Sequence, residues 1–191
     1  MLADSPNNNR RIAKIGIIVA GSAPPIEGFK ERLAEFGWIE DLNANFTIRV
    51  AQGEVDLLPG FASEIAGLDV DIIAVIGAVT VRAVQKATST IPIVFAVVVE
   101  PVGDGLATNL QRPGGNTTGV TTFDPHQAVT QLELLKIVRP GLARVAILSD
   151  SGVSECLSNS NREAAKKLEL RPQIIRVKGP SPDYGAAFSA M

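Results

Sequence analysis

A single carboxylate at the end of an apolar run is the clearest sign of ligand chemistry in this sequence. Glu100 directly follows nine apolar residues, 91–99, a run typical of a strand that is buried on both faces. Side chains at the carboxyl ends of parallel strands line the binding crevice of open α/β folds. Glu100 is therefore placed to accept a charge-assisted hydrogen bond from a ligand ammonium group. The alternative is that Glu100 caps or salt-bridges the loop that follows it.

Two earlier turns offer backbone groups and hydroxyls at predicted strand ends. Gly21 permits a close backbone approach and Ser22 offers a hydroxyl to a small ligand, although a tight strand-to-helix turn explains both residues equally well. A second turn opens a predicted helix, whose N-terminal amides and dipole suit a carboxylate. It consists of Gly77, Ala78, Val79 and Thr80. Thr80 either caps this helix or touches the ligand, and capping is the favoured interpretation.

Polar residues also follow two later strands. Thr121 and Thr122 stand at the expected crossing between two lobes, where their hydroxyls would face the cleft; otherwise they form a turn. A buried strand at 144–148 is followed by three more candidates for ligand contact. These are Ser149, Asp150 and Ser151. A capping turn for the next helix explains them about as well.

Composition argues against catalysis, metal binding and nucleic-acid binding. The chain has one histidine, His126, and one cysteine, Cys156, so a histidine-rich or multi-cysteine metal centre is excluded. The formal net charge is −2 with no long run of either sign, which does not favour a nucleic acid or a membrane surface as partner. The first strand is not followed by the Gly-x-Gly-x-x-Gly fingerprint of dinucleotide sites. We expect a binding protein for a small molecule, with no cofactor and no enzymatic activity.

Strand and helix patterns alternate along the chain. Apolar and alternating runs predict strands at 14–20, 46–50, 70–76, 93–98, 120–122, 144–148 and 173–177. Helical periodicity predicts helices at 26–36, 57–68, 79–87, 127–138 and 155–170. Such alternation indicates an α/β fold with parallel sheets and helices on both faces. We expect an N-terminal α/β lobe at 12–120 and a partial second α/β lobe at 121–191.

Several motifs in the expected order resemble a known family. The strand at 91–99 leads into the loop Pro101-Val-Gly-Asp-Gly-Leu106, followed by the turn Arg112-Pro-Gly-Gly-Asn-Thr-Thr-Gly119. Segments 29–38, 86–95 and 134–148 match as well. Together they resemble the substrate-binding proteins of ABC importers that are grouped with the aromatic amino-acid binders. Three residues depart from the family pattern, which commonly has Gly-Thr-Pro at 77–79 and Asp at 100: Ala78, Val79 and Glu100.

The resemblance implies a type I periplasmic-binding-protein fold, with two Rossmann-like lobes, a hinge and a cleft that captures a small molecule. An amino acid is one candidate ligand. It also implies an ABC permease in the membrane as partner and a periplasmic or membrane-associated exterior location. Family members run roughly a hundred residues further, so we expect a truncated second lobe, and no signal peptide is visible before Ile12.

Two other functions remain open at this point. The same lobes suit a cytosolic or sensory ligand-binding domain, although no helix-turn-helix precedes Ile12. A doubly wound α/β enzyme is less favoured, because no phosphate loop and no paired carboxylates stand at an obvious strand end.

Overall fold

The computed structural model describes residues 11–22, 24–122, 126–150, 155–178 and 181–191. Strands and α-helices alternate along most of the chain. The elements are β1 (Ala13–Val19), α1 (Pro24–Glu35), β2 (Ala44–Val50), a 3-10 turn (Val55–Leu57), α2 (Leu58–Gly67), β3 (Ile72–Ile76), α3 (Ala78–Ala87), β4 (Ile93–Val98), β5 (Thr117–Thr121), α4 (Gln127–Val138), β6 (Arg144–Asp150), α5 (Glu155–Lys167), β7 (Arg171–Val177) and α6 (Tyr184–Ser189). The α/β prediction is confirmed.

Two parallel sheets divide the described residues into an N-terminal unit (β1 to β5 with α1 to α3) and a C-terminal unit (β6, β7 and α4 to α6). The first sheet has the strand order β2-β1-β3-β4-β5, and the second pairs β6 with β7. All pairings are parallel. The expected boundary between residues 120 and 121 falls at the end of β5. It remains a prediction.

Helices cover both faces of the first sheet, which explains why its strands are so apolar. Ile15, Ile17 and Val19 of β1 pack on the α1 side of the sheet, whereas Ile18 belongs to the core beneath α2 and α3. Helix α2 comes close to β1 at Gly16, where an added Cβ would lie 2.4 Å from Cγ2 of Ile65. Burial on both faces therefore selects β-branched residues, and the close helix contact selects a glycine.

The C-terminal unit has a smaller core. Leu132 of α4 packs with Ala164 and Ala165 of α5, and Val145 of β6 lies partly buried against them. The predicted strand at 120–122 was misplaced, since β5 begins three residues earlier at Thr117. Because Thr117 is the single buried residue of β5, this edge strand has almost no apolar pattern in the sequence.

Candidate functional site

Four adjacent strands end at the same edge of the first sheet and bring most of the predicted residues together. Val19 of β1 is paired with Ile76 of β3, and Ile76 is paired with Ala96 of β4. Val98 of β4 is paired with Thr121 of β5. Parallel strands present their carboxyl ends on one side. The turns that follow these four strands therefore lie side by side along one edge.

Glu100 follows the end of β4 at this edge and lines a cavity of about 710 Å³. The cavity is also lined by residues of α4 and α5, and its apolar lining includes Val99, Val129 and Leu157. It does not reach residues 21–22 or 77–80. The predicted residues that line it are Glu100 and Thr122.

Electrostatics distinguishes Glu100 from the other described carboxylates. Burial, and then the nearby Asp104 carboxylate, raise the pKa of Glu100 above its ordinary value. No ion pair of Glu100 is found within the described part of the chain, so the predicted alternative of a salt bridge to its loop is not seen there. A half-buried carboxylate beside a second acid and a cavity favours a cationic group as ligand.

A β-bulge in β4, which the sequence did not reveal, precedes Glu100. The pairing of β4 with β5 shifts register between Phe95 and Val98, and Val97 takes a φ of 56°. This left-handed conformation is a genuine outlier for a β-branched residue. The Val97 side chain is 59% exposed. Bulges re-aim the chain next to binding sites, and this one sets the direction in which the chain leaves the sheet toward Glu100.

Two predicted threonines use their hydroxyls for backbone bonds. Thr80 is fully buried and donates to the carbonyl oxygen of Ile76 at 2.9 Å; the N-cap of α3 is Gly77, at a φ of 88°. The prediction that Thr80 caps the helix is therefore wrong, because Gly77 holds that position; ligand contact by Thr80 stays a prediction. Thr121 donates to the carbonyl oxygens of Val98 and Val99, at 2.7 and 3.0 Å. Thr121 supports the backbone before Glu100.

The remaining predicted residues differ in how far they are exposed. Gly21, Ser22 and Thr122 are exposed, and Ala78 and Val79 are half-buried at the start of α3. Ser149 is buried, with its Oγ 2.7 Å from Oγ of Ser158, a contact that joins α5 to β6; its contact with a ligand stays a prediction. Asp150 is half-buried at the end of β6, and Ser151 lies outside the described residues.

The two units touch where the Glu100 loop meets α5. An added Cβ at Gly103 would lie 2.7 Å from Sγ of Cys156 and 3.6 Å from Oε2 of Glu100. Burial raises the pKa of the Cys156 thiol, and the carboxylates of Asp104 and Glu100 add to this effect. A neutral thiol packed against a glycine makes this a close contact between the units. No sequence pattern predicted this contact.

The described residues hold no group of three or more histidine, cysteine or acidic side chains that could bind a metal ion. None of the helices in the described ranges is long and apolar enough to cross a membrane.

Comparison with known proteins gives one family and related structures. The family model described as ABC transporter substrate binding protein matches residues 14–178. The chain is 27% identical over 166 residues to a tyrosine-binding protein of Clostridioides difficile (strain R20291). The aligned region covers 84% of this chain and 48% of that protein.

Two solved structures are similar over most of this chain. A conserved domain protein from Vibrio cholerae superposes with a TM-score of 0.78 at 26% identity, covering 87% of this chain and 57% of that one. The ABC domain of a Streptococcus pneumoniae protein in complex with L-Trp gives a TM-score of 0.77 at 26% identity, covering 86% and 57%. The chain thus spans about half the length of these relatives.

Proposed function

Because the chain belongs to the family of ABC transporter substrate-binding proteins and has the type I periplasmic-binding-protein fold, we propose that it is the solute-capturing component of an ABC importer. The family is one of solute-binding proteins rather than enzymes. In this proposal, a small molecule binds at the strand edge beside Glu100 and is delivered to an ABC permease. The protein then acts on the outer side of the membrane that holds the permease.

The observation that carries the proposal is the state of Glu100. It is half-buried and lines a cavity of about 710 Å³, and its pKa is raised by burial and by Asp104. A cation that binds there restores the charged form of the carboxylate and gains a charge-assisted hydrogen bond. We therefore infer that the small-molecule ligand carries an ammonium group, which binds at Glu100.

The N-terminus of α3, which follows the neighbouring strand β3, supplies a positive partial charge, opposite in sign to the carboxylate of Glu100. Gly77 leaves β3 with its N–H donating to Ala96 of β4 at 3.1 Å, and the helix that follows is 10 residues long. The first N–H groups of a helix and its dipole stabilise an anion. A zwitterion whose ammonium lies at Glu100, and whose carboxylate extends out of the cavity toward this helix end, satisfies both.

An apolar or aromatic amino acid is the ligand class that we infer. The cavity wall offers Val99, Val129, Leu157 and Ala164 to an apolar side chain. Two of the relatives are named for tyrosine binding and for a complex with L-Trp, which agrees with this inference.

Closure of the two units on the ligand is the expected mechanism. They meet at Gly103 and Cys156, and Lys178 lies 3.7 Å from Asp56 in an exposed ion pair that crosses between them. Such a pair contributes little to stability. A ligand that contacts both units binds the closed arrangement more tightly, and so shifts the population toward it.

Isothermal titration calorimetry with L-tyrosine, L-tryptophan and L-leucine tests the proposal. We expect the Glu100→Gln variant to bind the preferred amino acid about 10- to 100-fold more weakly, because a hydrogen bond to a charged group contributes about 1.5–3 kcal/mol. The matched control is Glu31→Gln, which makes the same change at an exposed position on α1 and should bind like the parent chain.

Two results would contradict the proposal. Equal affinity of the Glu100→Gln variant and the parent chain would remove Glu100 from the site. If none of the three amino acids released or absorbed heat at millimolar concentration, the ligand class would be wrong.

A further inference from the structure

The connection that carries Glu100 contains no helix. Residues 99–116, all of which the structure describes, join β4 to β5 through turns and bends alone. Neighbouring parallel strands are usually joined by a helix, whose own hydrogen bonds hold it in shape. Without a helix, the backbone groups of the connection need other partners. The position of Glu100 therefore depends on bonds that other elements supply.

The Glu100 loop, residues 100–106, is a compact unit. The N–H of Asp104 donates to the carbonyl oxygen of Glu100 at 2.8 Å, and the N–H of Leu106 donates to that of Pro101 at 2.8 Å. The side chain of Leu106 is buried in the core of the first sheet. Because the two ends of the loop are bonded to each other in this way, a shift of Leu106 moves Glu100 with it.

Gln85 of α3 holds the far end of this loop. Its side-chain Nε2 donates to the carbonyl oxygen of Leu106 at 2.9 Å and to Oγ1 of Thr117 at 3.0 Å. These two bonds use both N–H groups of the side-chain amide. Thr117 is buried and is the first residue of β5. One half-buried side chain thus joins α3, the Glu100 loop and β5.

A second contact from α3 lies one turn earlier. Arg82 donates from Nη2 to the carbonyl oxygen of Asp104 at 3.1 Å. Residues three apart lie on the same face of a helix, so Arg82 and Gln85 hold the same loop side by side. Arg82 is exposed, and water can replace its bond, whereas the loss of Gln85 leaves the acceptors beneath it unsatisfied. Gln85 is therefore the main support of the loop.

The same helix begins beside the proposed position of the ligand carboxylate. The N-cap of α3 is Gly77, and the N–H groups that follow it are those proposed to stabilise that carboxylate. Because the Glu100 loop is bonded to α3, the groups that meet the two charges of a zwitterion are held in a fixed relation to each other.

We propose that Gln85 is a positioning residue for ligand binding, which holds the Glu100 loop on α3 so that the Glu100 carboxylate meets the ligand ammonium group. This role rests on the function proposed above for the same site. The described residues that line the cavity beside Glu100 do not include Gln85, so its effect on binding passes through Glu100. That effect must therefore depend on an ammonium group in the ligand.

Isothermal titration calorimetry with two matched pairs of ligands tests this dependence. One pair is L-tyrosine and 3-(4-hydroxyphenyl)propionate, and the other is L-tryptophan and indole-3-propionate; the second member of each pair lacks only the ammonium group. Gln85→Met keeps a side chain of similar length and removes its donors. We expect this variant to bind the amino acid about 3- to 10-fold more weakly and to bind the propionate like the parent chain. A general loss of structure would weaken both.

Further variants show whether Gln85 acts through Glu100. In the Glu100→Gln background, Gln85→Met should weaken amino-acid binding by no more than about twofold, because the charge that it positions is already absent. Thr117→Val removes an acceptor of the same amide and should weaken amino-acid binding by a smaller factor than Gln85→Met, whereas Thr117→Ser keeps the hydroxyl and should bind like the parent chain. The matched control is Gln111→Met, which makes the same change at an exposed position of the same connection.

The role of Gln85 is overturned if Gln85→Met binds the amino acid as the parent chain does, or if it weakens the amino acid and its propionate by the same factor. A further loss of more than about 3-fold in the Glu100→Gln background would also overturn it. The proposed function survives these results as long as the parent chain binds the amino acid and Glu100→Gln weakens that binding. If the parent chain binds neither amino acid, the proposed function fails, and the role of Gln85 fails with it.

Discussion

Gly119 is the position in the first sheet where one added methyl group should do the most damage. It lies in β5 directly opposite Phe95 of β4. An added Cβ would lie 2.2 Å from the carbonyl oxygen of Phe95 and 2.5 Å from Cγ of its ring. Contacts this short do not occur, and the oxygen belongs to a paired strand. The Gly119→Ala variant must therefore displace β5 from β4.

We expect Gly119→Ala to lower the free energy of unfolding by about 2–4 kcal/mol. Overpacking usually costs about 1–3 kcal/mol, and a displaced edge strand loses ladder hydrogen bonds in addition. For a chain of this length the loss corresponds to a melting temperature about 4–15 °C lower. The displacement also moves Thr121, which bonds to Val98 and Val99, so ligand affinity should fall as well.

Urea unfolding followed by the fluorescence of Trp38 measures this loss. Trp38 is the one tryptophan of the chain and is partly buried against the core of the first sheet, so its signal reports on the N-terminal unit. The control is Gly28→Ala in α1, where an added Cβ meets nothing within 4 Å. Alanine is the better helix former, so this variant should be more stable by about 0.5–1 kcal/mol.

A second substitution distinguishes the two close contacts at Gly119. Phe95→Ala removes the ring but leaves the carbonyl oxygen, so it should not rescue Gly119→Ala. The reasoning is refuted if Gly119→Ala unfolds within about 0.5 kcal/mol of the parent chain, the range expected for a harmless surface change. Full rescue by Phe95→Ala would show that the ring, and not the backbone, excludes a side chain there.

Three further predictions concern the neighbourhood of Glu100. Val97→Asn should stabilise the chain by about 1 kcal/mol in urea unfolding, because asparagine tolerates the left-handed conformation; a loss of stability would show that Val97 is not strained. The pKa of Glu100 is raised from about 4.5, so its favourable contribution to stability is complete below the unfolded-state pKa and is lost as pH rises through the folded-state pKa. Glu100→Gln should therefore flatten the fall in stability above pH 4.5, and an unchanged pH profile would contradict this. Gly103→Ala should weaken ligand binding about 10-fold or more in calorimetry by pushing Cys156 away, and adding Cys156→Ala should restore it; failure of that rescue would argue against the contact.

The sequence predicted the fold well because burial on both faces leaves a strong pattern. Continuous apolar runs and helical periodicity identified six of the seven strands in the correct places, and parallel pairing followed from their alternation with helices. The exception was β5, an edge strand that begins at Thr117 and has only one buried residue. Where one face of a strand meets solvent, the apolar signal that defines it is lost.

The local partners of the hydroxyl groups at the site could not be predicted, because residue type does not state which partner a hydroxyl takes. Thr80, Thr121 and Ser149 all stand near strand ends, as a ligand residue would. In the structure, Thr80 and Thr121 donate to carbonyl oxygens and Ser149 meets Ser158. Short hydroxyl side chains bond readily to nearby backbone groups. Their proximity to the edge is therefore explained by local bonds, and contact of these residues with a ligand stays a prediction.

Glu100 remains the strongest candidate because its carboxylate has no such local partner among the described residues. The bulge at Val97 shifts β4 by one position against β5, and a shift of one residue along a strand moves side chains to the opposite face. Without the bulge, the residues after Val98 would leave the sheet in the other orientation, and Glu100 would not face α5. The strained backbone at Val97 and the raised pKa of Glu100 are thus connected, since both follow from holding an acid against the second unit. Relieving the strain with Val97→Gly should therefore allow the loop to move and weaken ligand binding while the chain itself folds normally, an outcome that calorimetry and circular dichroism on one sample can decide.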